Sequence, residues 1–350
     1  MGRKTYKKII TSKETIDLIN PKNKKLMSLF LKDKGRKCSP ASMKVYESNL
    51  NIFFCWNTLY NDNKYYPEIK KVELSEFFDY LVNEMKIQGK RFSHYRSVLS
   101  NLSEIVIKYY DEEYPTFRNI VNTIIEPIPK DAVREKTVLS EDEIETLFQY
   151  LKNKNETQQA CCLALAVYSG MRIAEIEQFT VDMVDRENSL SFGNVSLETT
   201  KKIRTKGFGK QGKVMTKHII KDLFLPYFDA WLEEREQYLK DMEVEDHGYL
   251  FLKKNGEPAT QNVFRRWGEK WEQIVNKPIY FHNFRHYTVT TLTRMGLGSD
   301  FIIAFMGWSS GGEMYKLYND LSDSEREWKD ADKLQAIIMD LLKGEENEEE

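Results

Sequence analysis

The sequence has little cysteine and no long apolar segment. Its 350 residues include four cysteines, Cys38, Cys55, Cys161 and Cys162, and no CxxC pair, which argues against a disulfide framework and a zinc ribbon. The longest apolar run, residues 160–168, is too short to span a bilayer. The basic N-terminus lacks the apolar stretch of a secretory signal. We therefore expect a folded protein of a reducing, cytoplasmic compartment.

An excess of charge of either sign is also lacking, since the net charge is only −2. The balance is nevertheless uneven, because residues 1–135 carry 24 Lys and Arg against 17 Asp and Glu, whereas the remainder carries 28 against 37. A basic N-terminal half fits nucleic-acid binding and fits a lysine-rich solvated surface equally well. The acidic end, residues 344–350, predicts a disordered tail.

Apolar residues recur at helical spacing through most of the first half of the chain. Residues 1–22 are polar and basic without a clear period, which predicts a flexible arm. Residues 23–125 predict a small helical bundle, in which Ser39 and Pro40 start one helix as N-cap and first helical residue. The two prolines and mixed charges of residues 126–136 predict a linker to a second domain.

The second domain, residues 137–343, mixes helical and strand patterns. A capping box at Ser140 and Glu143 predicts a helix start. Residues 189–220 are rich in β-branched side chains and contain glycines, which predicts short strands joined by a turn. We therefore expect a mainly α fold with a small antiparallel β-sheet in this domain. An apolar stripe over 334–342 predicts a last helix, which packs either on its own domain or in a groove of a neighbouring protomer.

Four residues of the second domain have the side chains that metal-free phosphodiester exchange requires. The transition state gathers negative charge on its equatorial oxygens, and guanidinium groups, here Arg172 and Arg285, bind such oxygens in pairs. A phenol, with an ordinary pKa of about 10, needs a proton acceptor before it attacks phosphorus. Tyr318 is the candidate nucleophile and His282 the candidate acceptor.

Two further residues complete the candidate site. Lys206 lies in the glycine-bearing turn, from which an ammonium group can protonate the departing 5′-oxygen. Glu175 follows Arg172 by one helical turn and can orient either that arginine or the histidine.

These residues lie in segments that resemble the motifs of the tyrosine recombinase (phage integrase) family. SGMRIAEI is similar to the first arginine motif, HNFRH to the H-x-x-R motif, and MGWSS with its following tyrosine to the C-terminal motif. IRTKG resembles the lysine-bearing β-hairpin. Trp308 stands where most relatives carry histidine, which is similar to Cre recombinase. The resemblance covers roughly residues 137–325, and the helical domain before it fits the family's core-binding domain more loosely.

The resemblance implies a two-domain DNA clamp that cuts and rejoins double-stranded DNA through a 3′-phosphotyrosyl intermediate. It implies strand exchange in a homotetramer, with residues 334–342 docked on a neighbouring protomer, and it implies no metal and no cofactor. The catalytic residues expected from it, supported by Glu175, are Arg172, Lys206, His282, Arg285, Trp308 and Tyr318. The residues that we expect to contact DNA are Lys44, Lys90, Arg91, Arg96 and Lys210.

Several assignments have rivals in the sequence. Tyr318 lies eleven residues after Gly307 and Tyr315 lies eight after it, and the usual family spacing falls between these values. Lys210 shares the glycine-bearing turn with Lys206. His282 and His286 stand four residues apart and could clasp zinc, although no HExxH signature accompanies them.

The function has rivals as well. A type IB topoisomerase or a telomere resolvase would use the same chemistry, and a non-catalytic DNA-binding protein or a helical interaction module would use none of it. We favour a site-specific recombinase of a mobile element, because a binding protein has no use for a tyrosine nucleophile beside two arginines.

Overall fold

The computed structural model describes residues 10–87, 89–124, 138–207, 212–309 and 313–319. The chain divides into two compact units, one comprising Met1–Glu135 and the other comprising Lys136–Lys206 and Lys213–Glu350. The expected linker over 126–136 and the expected acidic tail lie outside the described residues. Within the described residues, no helix is both long and apolar enough to cross a membrane.

The first unit is an all-helical bundle. Its helices are α1 (Lys13–Leu18), α2 (Pro21–Gly35), α3 (Pro40–Tyr60), α4 (Lys71–Asn83) and α5 (Gly89–Tyr109). The helix α3 starts as the sequence predicts, because the Ser39 hydroxyl accepts a hydrogen bond from the Ser42 amide at 3.3 Å and Pro40 follows the cap. Aromatic side chains fill the core, with the rings of Phe53 and Phe77 4.9 Å apart, edge to face.

The prediction of a flexible arm over residues 1–22 is wrong for its second half. Ser12 caps α1 by accepting a hydrogen bond from the Thr15 amide at 3.1 Å, and Asn20 caps α2 in the same way. The side chain of Asn63 holds the connection between these helices, accepting from the Asn20 amide at 2.9 Å and donating to the Leu18 carbonyl at 2.8 Å. Paired backbone groups and the buried Ile19 thus fix a segment that has no helical period. Residues 1–9 lie outside the described residues.

The second unit combines helices with two small antiparallel sheets, which confirms the predicted fold class. Its helices are α6 (Glu141–Asn153), α7 (Thr157–Ser169), α8 (Ile173–Ile176), α9 (Lys221–Asp241), α10 (Gln261–Val275), α11 (Phe281–Arg294), α12 (Ser299–Met306) and α13 (Glu313–Tyr318). Its strands are β1 (Leu190–Ser191), β2 (Ser196–Glu198), β3 (Ile203–Thr205), β4 (Lys213–Met215) and β5 (His218–Ile220).

The strands form two sheets rather than the single sheet that we expected. One has the order β1-β2-β5, and the other is the two-stranded hairpin β3-β4, in which Arg204 is paired with Val214. The central helix α7 is buried along nearly all its length, including both Cys161 and Cys162, and it packs against α6, α9 and α11. This burial explains the apolar run in the sequence, because a helix surrounded on all sides needs no polar face. The ends of α7 and α11 and the edge of β3 frame the candidate site.

Candidate active site

Arg172 is held at a sharp break between two helices. Gly170 ends α7 in the left-handed conformation, with φ of +61°, and Arg172 is the N-cap residue of α8. The Arg172 amide donates to Oε2 of Glu175 at 2.9 Å, and its Nη1 donates to Oε1 at 3.0 Å and to the Thr205 hydroxyl at 3.3 Å. The expected partnership of Glu175 with Arg172 is therefore present, and it leaves the guanidinium partly open to solvent.

Glu175 is fully buried and ionised. Its carboxylate lies 3.2 Å from the ammonium group of Lys217, which is itself 5% exposed. Burial raises the pKa of Glu175, but Lys217, the Thr205 hydroxyl and Arg172 together outweigh burial and lower this pKa to about 2. Glu175 therefore carries its negative charge throughout the physiological pH range.

Arg285 is buried with hydrogen-bonding capacity to spare. Its side chain leaves α11 and is 1% exposed, and its Nη1 donates to the Gly170 carbonyl at 2.7 Å. Its Nε and Nη2 have no hydrogen-bond partner among the described residues. These two nitrogens form one edge of the guanidinium, and that edge matches two oxygens of a phosphate. Buried donors without partners are costly, so this edge is built to receive an anion.

The charge of Arg285 survives its burial. Burial lowers the pKa of its guanidinium to about 10, and Arg172 adds to this shift, whereas Glu175 and Tyr318 oppose it. The guanidinium carbon lies 5.0 Å from the centre of the Trp308 ring and 5.2 Å from that of Tyr318. Arg285 is thus a cation at neutral pH, lying beside the stacked rings of Trp308 and Tyr318.

Tyr318 points its hydroxyl at His282. The phenol oxygen lies 2.6 Å from Nε2 of His282, and the residue is 3% exposed. The ring of Trp308 stacks on the Tyr318 ring at 5.3 Å, and the ring of His286 lies 4.6 Å away on another side. The Trp308 indole N–H is buried without a partner among the described residues, so it is a third donor free for an anion. The structure thereby brings Tyr318, His282, Trp308 and Arg285 together.

The surroundings of His282 favour its uncharged form. Partial burial of the imidazole ring is the largest cause that lowers the pKa of His282. The neighbouring His286 and the charges of Arg172, Arg285 and Lys206 lower this pKa further, to about 4. Part of the residue remains exposed to solvent. At neutral pH the ring is uncharged, and its Nε2 can accept the hydrogen bond that the phenol donates.

The rival tyrosine points elsewhere. The hydroxyl of Tyr315 lies 3.3 Å from the Thr293 hydroxyl and accepts a hydrogen bond from the Asn319 side chain at 3.1 Å. Both partners are neutral, and neither is a proton acceptor of the histidine kind. The geometry therefore favours Tyr318 over Tyr315.

Lys206 lies one residue after the end of β3, on the side that leads towards β4. It follows Thr205 directly and is exposed, and its charge reaches His282, because it is one of the groups that lower the histidine pKa. Lys210 lies outside the described residues. In the first unit, Lys44 is exposed on α3 and Lys90 is exposed on α5. The guanidinium carbon of Arg91 lies 5.1 Å from the centre of the Tyr95 ring.

Sequence reasoning missed three parts of this site: Lys217, the Thr205 hydroxyl and the Gly170 carbonyl. A lysine beside short apolar strands looks like any surface lysine, and a carbonyl has no sequence signal at all. In the part of the chain that the structure describes, no group of three His, Cys, Asp or Glu could hold a metal ion, so the zinc alternative has no support there.

Comparison with known proteins gives consistent matches. A family model described as the phage integrase family matches residues 137–325. The SPbeta prophage-derived recombinase-like protein YomM of Bacillus subtilis (strain 168) is 28% identical over 258 residues, which cover 71% of this chain and 72% of that protein.

Solved structures show the same fold. The Tn1549 transposon integrase in complex with circular intermediate DNA aligns with a TM-score of 0.61 at 16% identity, over 87% of this chain and 98% of that one. A lambda integrase dimer bound to a COC′ core site also aligns with a TM-score of 0.61 at 16% identity, over 85% of this chain and 77% of that one.

Proposed function

The chain belongs to the phage integrase family, and from this premise we propose that it is a site-specific DNA recombinase that works through a 3′-phosphotyrosyl intermediate. The observation that carries the proposal is the Tyr318 hydroxyl, 2.6 Å from a neutral histidine and beside a buried guanidinium edge that lacks an acceptor. A phosphodiester seated on that edge would place its phosphorus next to the phenol oxygen. Nucleophile, base and charge stabilisation would then act on one atom.

The proposed reaction exchanges one phosphodiester for another. Tyr318 gives its proton to His282 and its oxygen attacks phosphorus, while the 5′-oxygen leaves and takes a proton from Lys206. Arg172, Arg285 and the Trp308 N–H stabilise the extra negative charge on the phosphate oxygens. Attack by a second 5′-hydroxyl reverses these steps and rejoins the DNA. The phosphotyrosyl bond conserves the energy of the broken linkage, so the proposed cycle needs no metal and no nucleotide cofactor.

The proposal extends to partners. YomM is prophage-derived and the Tn1549 integrase is a transposon's, which supports a mobile-element role with double-stranded DNA as substrate, in the cytoplasm. We propose the first unit as the core-binding domain, with Lys44, Lys90, Arg91 and Arg96 on phosphates, and Lys210 as a further DNA contact near the hairpin. A DNA-bound homotetramer, joined by residues 334–342 outside the described residues, completes the proposal.

Covalent complex formation tests the proposal. DNA from both sides of the gene, nicked so that cleavage releases a short fragment, traps any covalent complex, which then survives denaturing electrophoresis. We expect a complex with the unaltered protein and none with Tyr318→Phe, which should still shift the same DNA in a native gel.

Tyr315→Phe is the matched control, since it removes a hydroxyl only three residues away. We expect it to retain covalent trapping. Persistent trapping by Tyr318→Phe would reject Tyr318 as the nucleophile, and binding without trapping by the unaltered protein would favour a non-catalytic DNA-binding protein.

A further inference from the structure

Lys217 is a buried cation that the proposed reaction does not use. It lies just before β5, and its backbone is tied on both sides to Thr199, whose hydroxyl accepts from the Lys217 amide at 3.0 Å and whose amide donates to the Lys217 carbonyl at 2.8 Å. The ammonium reaches inward to Oε2 of Glu175 at 3.2 Å. The side chain of Lys217 is thus almost entirely removed from solvent.

The pair formed by Lys217 and Glu175 carries an energetic cost. Burial lowers the pKa of Lys217, Glu175 opposes this, and Arg285 and Arg172 add to the lowering. Burying one more positive charge beside two arginines is unfavourable unless the carboxylate needs it. An apolar side chain in place of Lys217 would leave the buried Glu175 carboxylate with Arg172 as its main cationic partner, so the charge of the lysine calls for an explanation.

Glu175 distributes its two oxygens between cations. Its Oε1 accepts from Nη1 of Arg172, while its Oε2 accepts from the Arg172 amide and faces Lys217. Without Lys217, the whole carboxylate charge would act on Arg172, whose guanidinium is needed for an anion. With Lys217 present, Glu175 can orient the Arg172 guanidinium while the Lys217 ammonium neutralises the carboxylate charge.

We propose that Lys217 is a positioning residue: its ammonium fixes and neutralises Glu175, so that Arg172 is held in place and keeps its positive charge for the phosphate. This inference rests on the proposed function and adds to it a residue that acts only through Glu175. The charged and polar groups that face Glu175 are Arg172 on α8, Thr205 on β3, Lys217 before β5 and, further away, Arg285 on α11.

A double-mutant cycle on cleavage tests the proposal. Single-turnover trapping on the nicked DNA is measured for Lys217→Met, Glu175→Gln and the double variant. We expect Lys217→Met to slow cleavage about 100-fold, as a misplaced catalytic group does. Adding Glu175→Gln to Lys217→Met should speed cleavage about 10-fold, because the unbalanced carboxylate is gone. If each substitution slows cleavage and the two effects multiply in the double variant, the proposal is overturned.

A pH profile separates this role from simple packing. The loss of Lys217 should raise the pKa of Glu175 from about 2 towards its ordinary 4.5, because Lys217 is the largest of the groups that lower it. The rate of Lys217→Met relative to the unaltered protein should therefore rise as pH falls from 7 to 5, since protonation removes the unbalanced charge. A flat ratio would mean that Lys217 only fills space. Lys217→Arg, which keeps the charge, should restore most of the rate.

A measurement without DNA keeps the two proposals apart. The Glu175 carboxyl carbon, followed by NMR, should titrate near 2 in the unaltered protein and at a higher pH in Lys217→Met. An unchanged midpoint would overturn the role of Lys217. If the midpoint moves as expected while the unaltered protein forms no covalent complex, the proposed function fails and the hold of Lys217 on Glu175 stands.

Discussion

Arg285 shows at the level of one residue how the site is prepared for a phosphate. One of its nitrogens is satisfied by the Gly170 carbonyl, and two are buried without a partner among the described residues. A folded protein tolerates such donors where a ligand supplies the acceptors. The sequence motif predicted Arg285 as a candidate. That Nη1 is held by Gly170 while Nε and Nη2 are left for a phosphate could not be predicted, because Gly170 is 115 residues away in the sequence.

The lowered pKa of His282 predicts a pH dependence of the stability of the protein. Its pKa of about 4 lies below the ordinary 6.5, so the folded protein binds fewer protons than the unfolded one between these values. Its contribution to stability is therefore full above pH 6.5 and is lost as pH falls through 4. In NMR titrations we expect the His282 ring signals to shift near pH 4, and to shift at higher pH in Lys206→Gln. A midpoint near 6.5 in the unaltered protein would show that neither burial nor the surrounding cations lower the pKa of the ring.

Helix ends, rather than helix interiors, position the reacting groups. Gly170 at the end of α7, Arg172 at the start of α8 and Tyr318 at the end of α13 all occupy terminal positions. Terminal residues are free of the i to i+4 backbone pattern, so their carbonyls and side chains can turn towards a shared point. The meeting point of these helix ends depends on packing between distant segments, which the sequence alone does not reveal.

Gly170→Ala tests this arrangement of helix ends. A side chain in the left-handed conformation costs about 1–2 kcal/mol, and a Cβ here would also lie 2.7 Å from Cε of Met306. We expect a loss of unfolding free energy above that range and slower cleavage, because the Gly170 carbonyl holds Arg285.

Gly193→Ala is the control for that substitution. Gly193 has a similar φ of +66°, but a Cβ there would meet no atom within 4 Å. It should lose only the conformational contribution and keep its cleavage rate. Equal losses of stability for both variants in chemical denaturation would show that the contact with Met306 is unimportant.

For the whole molecule, the candidate catalytic residues could be predicted from the sequence more fully than the bounds of the folded segments. The ordered motifs located Arg172, His282, Arg285 and Tyr318, which the structure brings together from segments about 150 residues apart. The prediction of a flexible arm over residues 1–22 was partly wrong, because Ser12 and Asn20 cap helices that lack a clear apolar period. Capping by side chains and tethering through Asn63 are local polar effects that periodicity does not detect.

The charge asymmetry of the chain stays an open prediction at this scale. The basic first unit, residues 1–135, fits the role of a DNA-binding domain, and the acidic balance of the second unit does not oppose it, because the site itself is cationic. Its ionised groups include the cations Arg172, Lys206, Arg285 and Lys217 and one carboxylate, that of Glu175. A local field of this kind attracts a phosphate whatever the net charge of the domain.

The most direct test of the account is to identify the amino acid that carries the DNA. The covalent complex is digested with nuclease and trypsin, and the peptides are analysed by mass spectrometry. Cleavage after Lys316 separates Tyr315, in the peptide 295–316, from Tyr318, in the peptide 317–326. We expect a nucleotide attached through its 3′-phosphate to Tyr318. A nucleotide on the other peptide, or on a serine of either, would contradict it.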